Sequence, residues 1–161
     1  MTLLRTTARD HACAMSLLTF GFRGWMTGLR NSDVRVWESV FHGFSQDLGL
    51  CHAKRTVNAL ASWVEAIDDA ARRPVEVCPL QAEGLCHDEC MALSIIAAAQ
   101  SDACPAMRAC GEALLGHANV DGMLDQAEAF AGILQEADRV ISPEMIAFAG
   151  RPRPASSAML N

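Results

Sequence analysis

Apolar residues recur at helical intervals along most of the chain, and the pattern is clearest between residues 33 and 48. The apolar positions there lie three and four residues apart and are Val34, Trp37, Phe41, Phe44 and Leu48. At about 100° per residue they share one face of a helix, with Ser32 suited to its N-cap and Gly49 to its end. We predict that this aromatic face is packed in the core. The alternative is a surface on which Trp37, Phe41 and Phe44 dock a protein partner.

The same spacing predicts helices in the rest of the chain. They span about 8–20, 51–73, 85–102, 105–116 and 122–141, and a last short turn or helix begins at Ser142. The first helix is expected to loosen through Gly21, Gly24 and Gly28. Short connections favour antiparallel neighbours. The sequence therefore predicts an all-α fold, a single-domain antiparallel bundle of five or six helices over 8–149, followed by a flexible C-terminal tail at 150–161.

Composition supports a helical fold. The chain has 27 alanines against 21 valines, isoleucines and threonines together, and it has no tyrosine. Alanine is the strongest helix former, whereas β-branched and aromatic residues favour strands. We therefore do not expect a β-sandwich or a β-barrel.

The distribution of charge argues against nucleic acid as a partner. Residues 1–55 carry 7 basic and 4 acidic groups, but residues 56–150 carry 4 and 15. A helix-turn-helix centred on Gly49 would need apolar side chains where Arg55 and Asn58 stand. We expect a protein partner instead.

The chain has no segment that predicts a membrane span. The longest stretches without a charged residue are 11–22 and 90–101, too short for the ~20 residues that a bilayer requires. Asp10 interrupts the basic segment that a secretory signal peptide would need, and Arg23 follows the apolar run without a cleavage site. We therefore expect a cytoplasmic protein whose seven cysteines are reduced thiols or metal ligands.

Three cysteines form the most promising chemical motif. Cys78, Cys86 and Cys90 follow the spacing C-x7-C-x3-C, and the last two would share one face of a helix. Thiolates suit zinc and iron–sulfur clusters, which need a fourth ligand. The antiparallel register favours His117 for this position, and His87 is the local alternative. Otherwise these cysteines are small core residues or a redox-active thiol pair.

Other chemistry has weaker support in the sequence. Residues 117–128 resemble an EF-hand calcium loop, but His117 stands where the first aspartate ligand belongs, which disfavours calcium. We find no motif of a known catalytic class, so an enzyme is not favoured. The leading hypothesis is a cytoplasmic accessory or regulatory protein that binds zinc or an iron–sulfur cluster. The alternatives are a cofactor-free protein–protein interaction module and, third, a thiol-based redox protein.

Overall fold

A computed structural model describes residues 8–150, and the regular secondary structure of this part of the chain is entirely helical. Its seven helices are α1 (Ala8–Asn31), α2 (Val34–Leu48), α3 (Leu50–Ala70), α4 (His87–Gln100), α5 (Cys104–Leu115), α6 (Asp121–Glu136) and α7 (Pro143–Ala149). None of the described helices is long and apolar enough to span a membrane. The all-α class is confirmed, whereas the antiparallel bundle of five or six helices stays a prediction. The predicted tail, apart from Gly150, lies outside the described residues.

The first helix is longer than predicted, because its glycines are packing positions. Gly21, Gly24 and Gly28 all lie within α1 and are buried. A Cβ on Gly21 would lie 2.8 Å from the Phe44 ring, and one on Gly28 would overlap the Trp37 indole. Because glycine has no side chain, these positions leave a groove in α1 that accommodates bulky residues of α2. The stabilisation from this packing exceeds the free-energy cost of placing glycine in a helix.

The aromatic face of α2 packs against α1. Phe44 is fully buried, Trp37 and Phe41 are half-buried, and Val34 at the start of the helix is 57% exposed. The Trp37 indole stacks on Trp25, with ring centroids 5.1 Å apart, and its Nε1 donates to the Trp25 carbonyl at 3.2 Å. Most of this face is therefore part of the core. That this face also binds a partner protein stays a prediction.

The start of α2 differs from the prediction, whereas its end does not. Asp33, and not Ser32, caps the helix, because its carboxylate accepts a hydrogen bond from the Arg35 amide at 3.0 Å. Ser32 has a positive φ of 52° in the tight turn that precedes the cap. Gly49 ends α2 as predicted, and its φ of 83° lets α3 begin at the next residue.

The core is centred on Trp63 of α3. Its ring lies 5.5 Å from Phe22 of α1 and 5.5 Å from Phe130 of α6, measured between centroids, and all three side chains are fully buried. Helix α4 packs against α5, α6 and α7. Its middle part is buried, as its long apolar run predicts. A long connection, residues 71–86, joins α3 to α4 and carries the cysteine motif.

Candidate metal centre

Two neighbouring carboxylates at the start of α4 hold the connection between α3 and α4. Asp88 and Glu89 lie in the first turn of the helix, and both are buried although they are charged. A buried carboxylate is costly unless a cation and hydrogen-bond donors compensate it. Each of the two has an arginine partner, and each accepts backbone amides of the connection.

Glu89 forms a two-pronged ion pair with Arg23 of α1. Arg23 Nε donates to Glu89 Oε2 at 2.6 Å and Nη2 donates to Oε1 at 3.0 Å. The two side chains are 4% and 0% exposed. The guanidinium also donates to the carbonyls of Ala82 and Gly84, at 2.9 and 2.6 Å. Arg23 thus ties α1, α4 and the connecting segment together.

Asp88 anchors the first half of the same connection. Its Oδ2 accepts the Glu76 amide at 2.7 Å and a hydrogen bond from Arg73 Nη1 at 3.2 Å, and its Oδ1 pairs with Arg73 Nη2. Burial opposes ionisation, but Arg73 and the amide hold the pKa of Asp88 below its usual range. Both carboxylates at the start of α4 therefore fix the course of the segment that precedes the helix.

This arrangement brings Cys78 and Cys86 together. Their sulfurs and a carboxylate oxygen of Glu89 all lie within 4.8 Å of one another. The amides of Cys78 and Cys86 donate to the two oxygens of Glu89, at 3.3 and 3.1 Å. The Cys86 thiol donates to the Glu76 carbonyl at 3.4 Å. The two cysteines form a half-buried dithiol beside an ionised carboxylate.

The surroundings of Cys86 keep its thiol protonated at neutral pH. Burial raises the pKa of Cys86 to about 12, and the neighbouring Glu89 carboxylate and Cys78 add to this effect. Burial acts to raise the pKa of Glu89, but Arg23, the Cys86 amide and the Cys78 side chain together hold this pKa below its usual range. A metal ion would therefore have to displace a proton from Cys86 when it binds.

Cys90 lies outside the dithiol, in contrast to its predicted place beside Cys86. Cys86 is the N-cap of α4 and has an extended backbone, with φ −77° and ψ 170°. The helical i, i+4 geometry therefore does not hold for this pair. A Cβ on Gly150 would overlap the Cys90 sulfur, so Cys90 instead faces the end of α7. Burial raises the pKa of Cys90.

The two histidines are also outside the group of ligand atoms that the described residues bring together. His87 is exposed at the first position of α4. His117 Nδ1 accepts the Asn119 amide at 3.1 Å, so Nε2 carries the ring proton, and this atom lies 2.5 Å from the Ala70 carbonyl. Both ring nitrogens of His117 are thus engaged, and their partners connect the end of α5 to the end of α3.

Arg23 and Glu89 organise the centre, and neither is among the site residues that the sequence predicts. They are 66 residues apart in the chain, and no local spacing connects them. One signal was available, since Arg23 is the only Asp, Glu, Lys or Arg between residues 11 and 29. An isolated cation within an apolar helix needs a buried anion as its partner.

Comparison of the chain with protein-family models, with curated proteins and with solved structures found no match.

Proposed function

We propose that this protein is an accessory or regulatory protein that binds one thiophilic metal ion through Cys78 and Cys86. The observation that carries the proposal is the convergence of the two sulfurs with Glu89 within 4.8 Å. Thiolates are strong ligands for zinc and copper(I). The function is one of binding, in the cytoplasm, where reducing conditions keep both thiols available.

The connection between α3 and α4 supports this proposal because it is preorganised. Glu89 accepts the amides of both cysteines, and Arg23 holds the Ala82 and Gly84 carbonyls of the segment between them. The backbone positions of the two ligands are thus determined before any ion arrives. A preorganised pair of ligands loses less conformational entropy on binding than a flexible pair does.

The test is an anaerobic titration of the metal-free protein with Zn(II), in competition with a chromophoric chelator. We expect one zinc ion per chain, and we expect Cys78→Ser or Cys86→Ser to lower the affinity about 100-fold or more. Cys110→Ser is the matched control, because Cys110 is also half-buried but lies on α5, outside the group. Cys90→Ser tests the predicted third ligand and is expected to behave as the control does. Equal zinc binding by all five proteins would refute the proposal.

An iron–sulfur cluster is a less favoured form of the same proposal. Such a cluster takes four protein ligands. Of the described residues, two thiols and one carboxylate converge. Reconstitution with iron and sulfide under argon tests it directly, since a bound cluster would give visible absorption that the Cys78→Ser variant lacks.

The proximity of the two sulfurs, within 4.8 Å of each other, favours a second candidate function, a reversible dithiol–disulfide couple. Oxidised glutathione would accept two electrons, so that the Cys78 and Cys86 thiols become one disulfide and two glutathione thiols are released with both protons. We expect a mass loss of about 2 Da and a single peptide that links the two cysteines. A mixture of linkages among all the cysteines would contradict this candidate.

We also propose that the helices form the predicted antiparallel bundle. The contacts between α1 and α2 support this arrangement, because Gly21 meets Phe44, Gly24 meets Val40 and Gly28 meets Trp37. Along these contacts the residue numbers rise in α1 and fall in α2, as they do in two antiparallel helices.

A further inference from the structure

We infer that the ion bound by Cys78 and Cys86 is copper(I), held between the two sulfurs with a coordination number of two. This inference rests on the proposed function and specifies the ion. It follows from the number of donor atoms that remain free at the centre, from the preference of copper(I) for thiolates and from the position of Cys86 at the start of α4.

Glu89 has no free lone pair with which to bind a metal ion. Its Oε1 accepts Arg23 Nη2 and the Cys86 amide, and its Oε2 accepts Arg23 Nε and the Cys78 amide. A carboxylate has about four acceptor sites, and these four donors occupy them. A metal–carboxylate bond would leave a buried N–H donor without its acceptor. The two sulfurs are therefore the only ligands that the converging residues offer without a rearrangement.

A site with two free ligands does not complete the coordination of zinc. Structural zinc takes four ligands in a tetrahedron, and with Zn–S bonds of about 2.3 Å two sulfurs lie about 3.8 Å apart. Solvent or a partner protein would have to supply the other two ligands. Copper(I) is a soft d¹⁰ ion that forms stable linear complexes with two thiolates, and thiolates select it. The sulfurs of Cys78 and Cys86 lie within 4.8 Å of each other, close enough to bind one such ion together.

The position of Cys86 fits the charge of a copper(I) complex. Copper(I) with two thiolates carries one negative charge, and Cys86 is the N-cap of α4, where the helix dipole stabilises an anion.

The experiment is a copper(I) titration in the presence of the chromophoric ligand bicinchoninate, without oxygen, followed by X-ray absorption on the one-to-one complex. We expect the copper edge of linear copper(I), two sulfur neighbours and no nitrogen or oxygen neighbour. One equivalent of copper(I) should displace zinc from the protein. Cys78→Ser and Cys86→Ser should each lower copper(I) affinity about 100-fold or more, and Cys110→Ser should not.

The outcomes separate this inference from the function on which it rests. Three or four ligands around copper(I), or zinc bound by four protein ligands and not displaced, would overturn the inference but leave metal binding at Cys78 and Cys86 intact. If the serine variants bind both metals as the unchanged protein does, the inference and the proposed function both fail.

Discussion

Replacement of Glu89 by alanine should destabilise the protein more than any replacement of an exposed acidic residue. Glu89→Ala removes the acceptor of four N–H groups and leaves the guanidinium of Arg23, 3% exposed, without its counter-charge. Each stranded donor costs about 1–3 kcal/mol, but these costs overlap because the donors can relax together. The measured cost of breaking a buried ion pair is about 3–5 kcal/mol. We expect a loss in this range.

The assay is urea unfolding followed by circular dichroism at 222 nm, at pH 7 and with reductant. At this chain length a loss of 3–5 kcal/mol corresponds to a decrease in Tm of about 6–20 °C. Glu136→Ala is the control, because Glu136 pairs with Arg55 on the surface, where the side chains are 58% and 60% exposed. Its loss should be about 0–1 kcal/mol. If Glu89→Ala costs no more than this control, the buried ion pair does not hold the connection as we argue.

Three further results are expected. Gly28→Ala should destabilise by about 1–3 kcal/mol in urea unfolding, because the new Cβ overlaps the Trp37 indole. Gly132→Ala, in the interior of α6 with open space around it, should stabilise by about 0.5–1 kcal/mol, and equal effects of the two would refute the groove in α1. Stability should fall with acid, because the pKa values of Asp88 and Glu89 are lowered in the folded protein. The two carboxylates contribute fully to the free energy of unfolding above their ordinary pKa values of about 4. This contribution is lost as the pH falls through their lowered pKa values in the folded protein. Unfolding free energies that stay constant from pH 6 to pH 2.5 would contradict it.

Hydrophobic periodicity was sufficient to locate the helices but not the reason for their packing. The spacing of apolar residues placed α2 within a residue of its observed bounds, Val34–Leu48. It failed for α1, where Gly21, Gly24 and Gly28 were read as signs of a weakening helix. Intrinsic propensity is a property of one residue, whereas these glycines are determined by the side chains of another helix. The requirement for glycine at these positions becomes visible only when the two helices are placed side by side.

The candidate centre could be predicted only in part, for a similar reason. The clustering of Cys78 and Cys86 in the sequence pointed to the segment in which the two sulfurs converge with Glu89. The placement of Cys86 beside Cys90 depended on a helix through both residues, and α4 begins one residue after Cys86. The pairing of Arg23 with Glu89 spans 66 residues and has no local signature. Long-range partners of this kind follow from the tertiary fold, which a single sequence does not specify in detail.

The buried ion pair is best explained by the geometry it imposes and not by net stability. Replacing a buried ion pair with apolar residues of similar volume is often neutral or stabilising, because the desolvation of both charges is avoided. The double variant Arg23→Met/Glu89→Leu should therefore recover part of the stability that Glu89→Ala loses. It would still lack the acceptor for the amides of Cys78 and Cys86 and the donor for two carbonyls between them. We expect this variant to fold, with a stability between those of Glu89→Ala and the unchanged protein, but to bind metal about 10–100-fold more weakly than the unchanged protein. Stable folding with unchanged metal affinity would show that the ion pair does not position the dithiol.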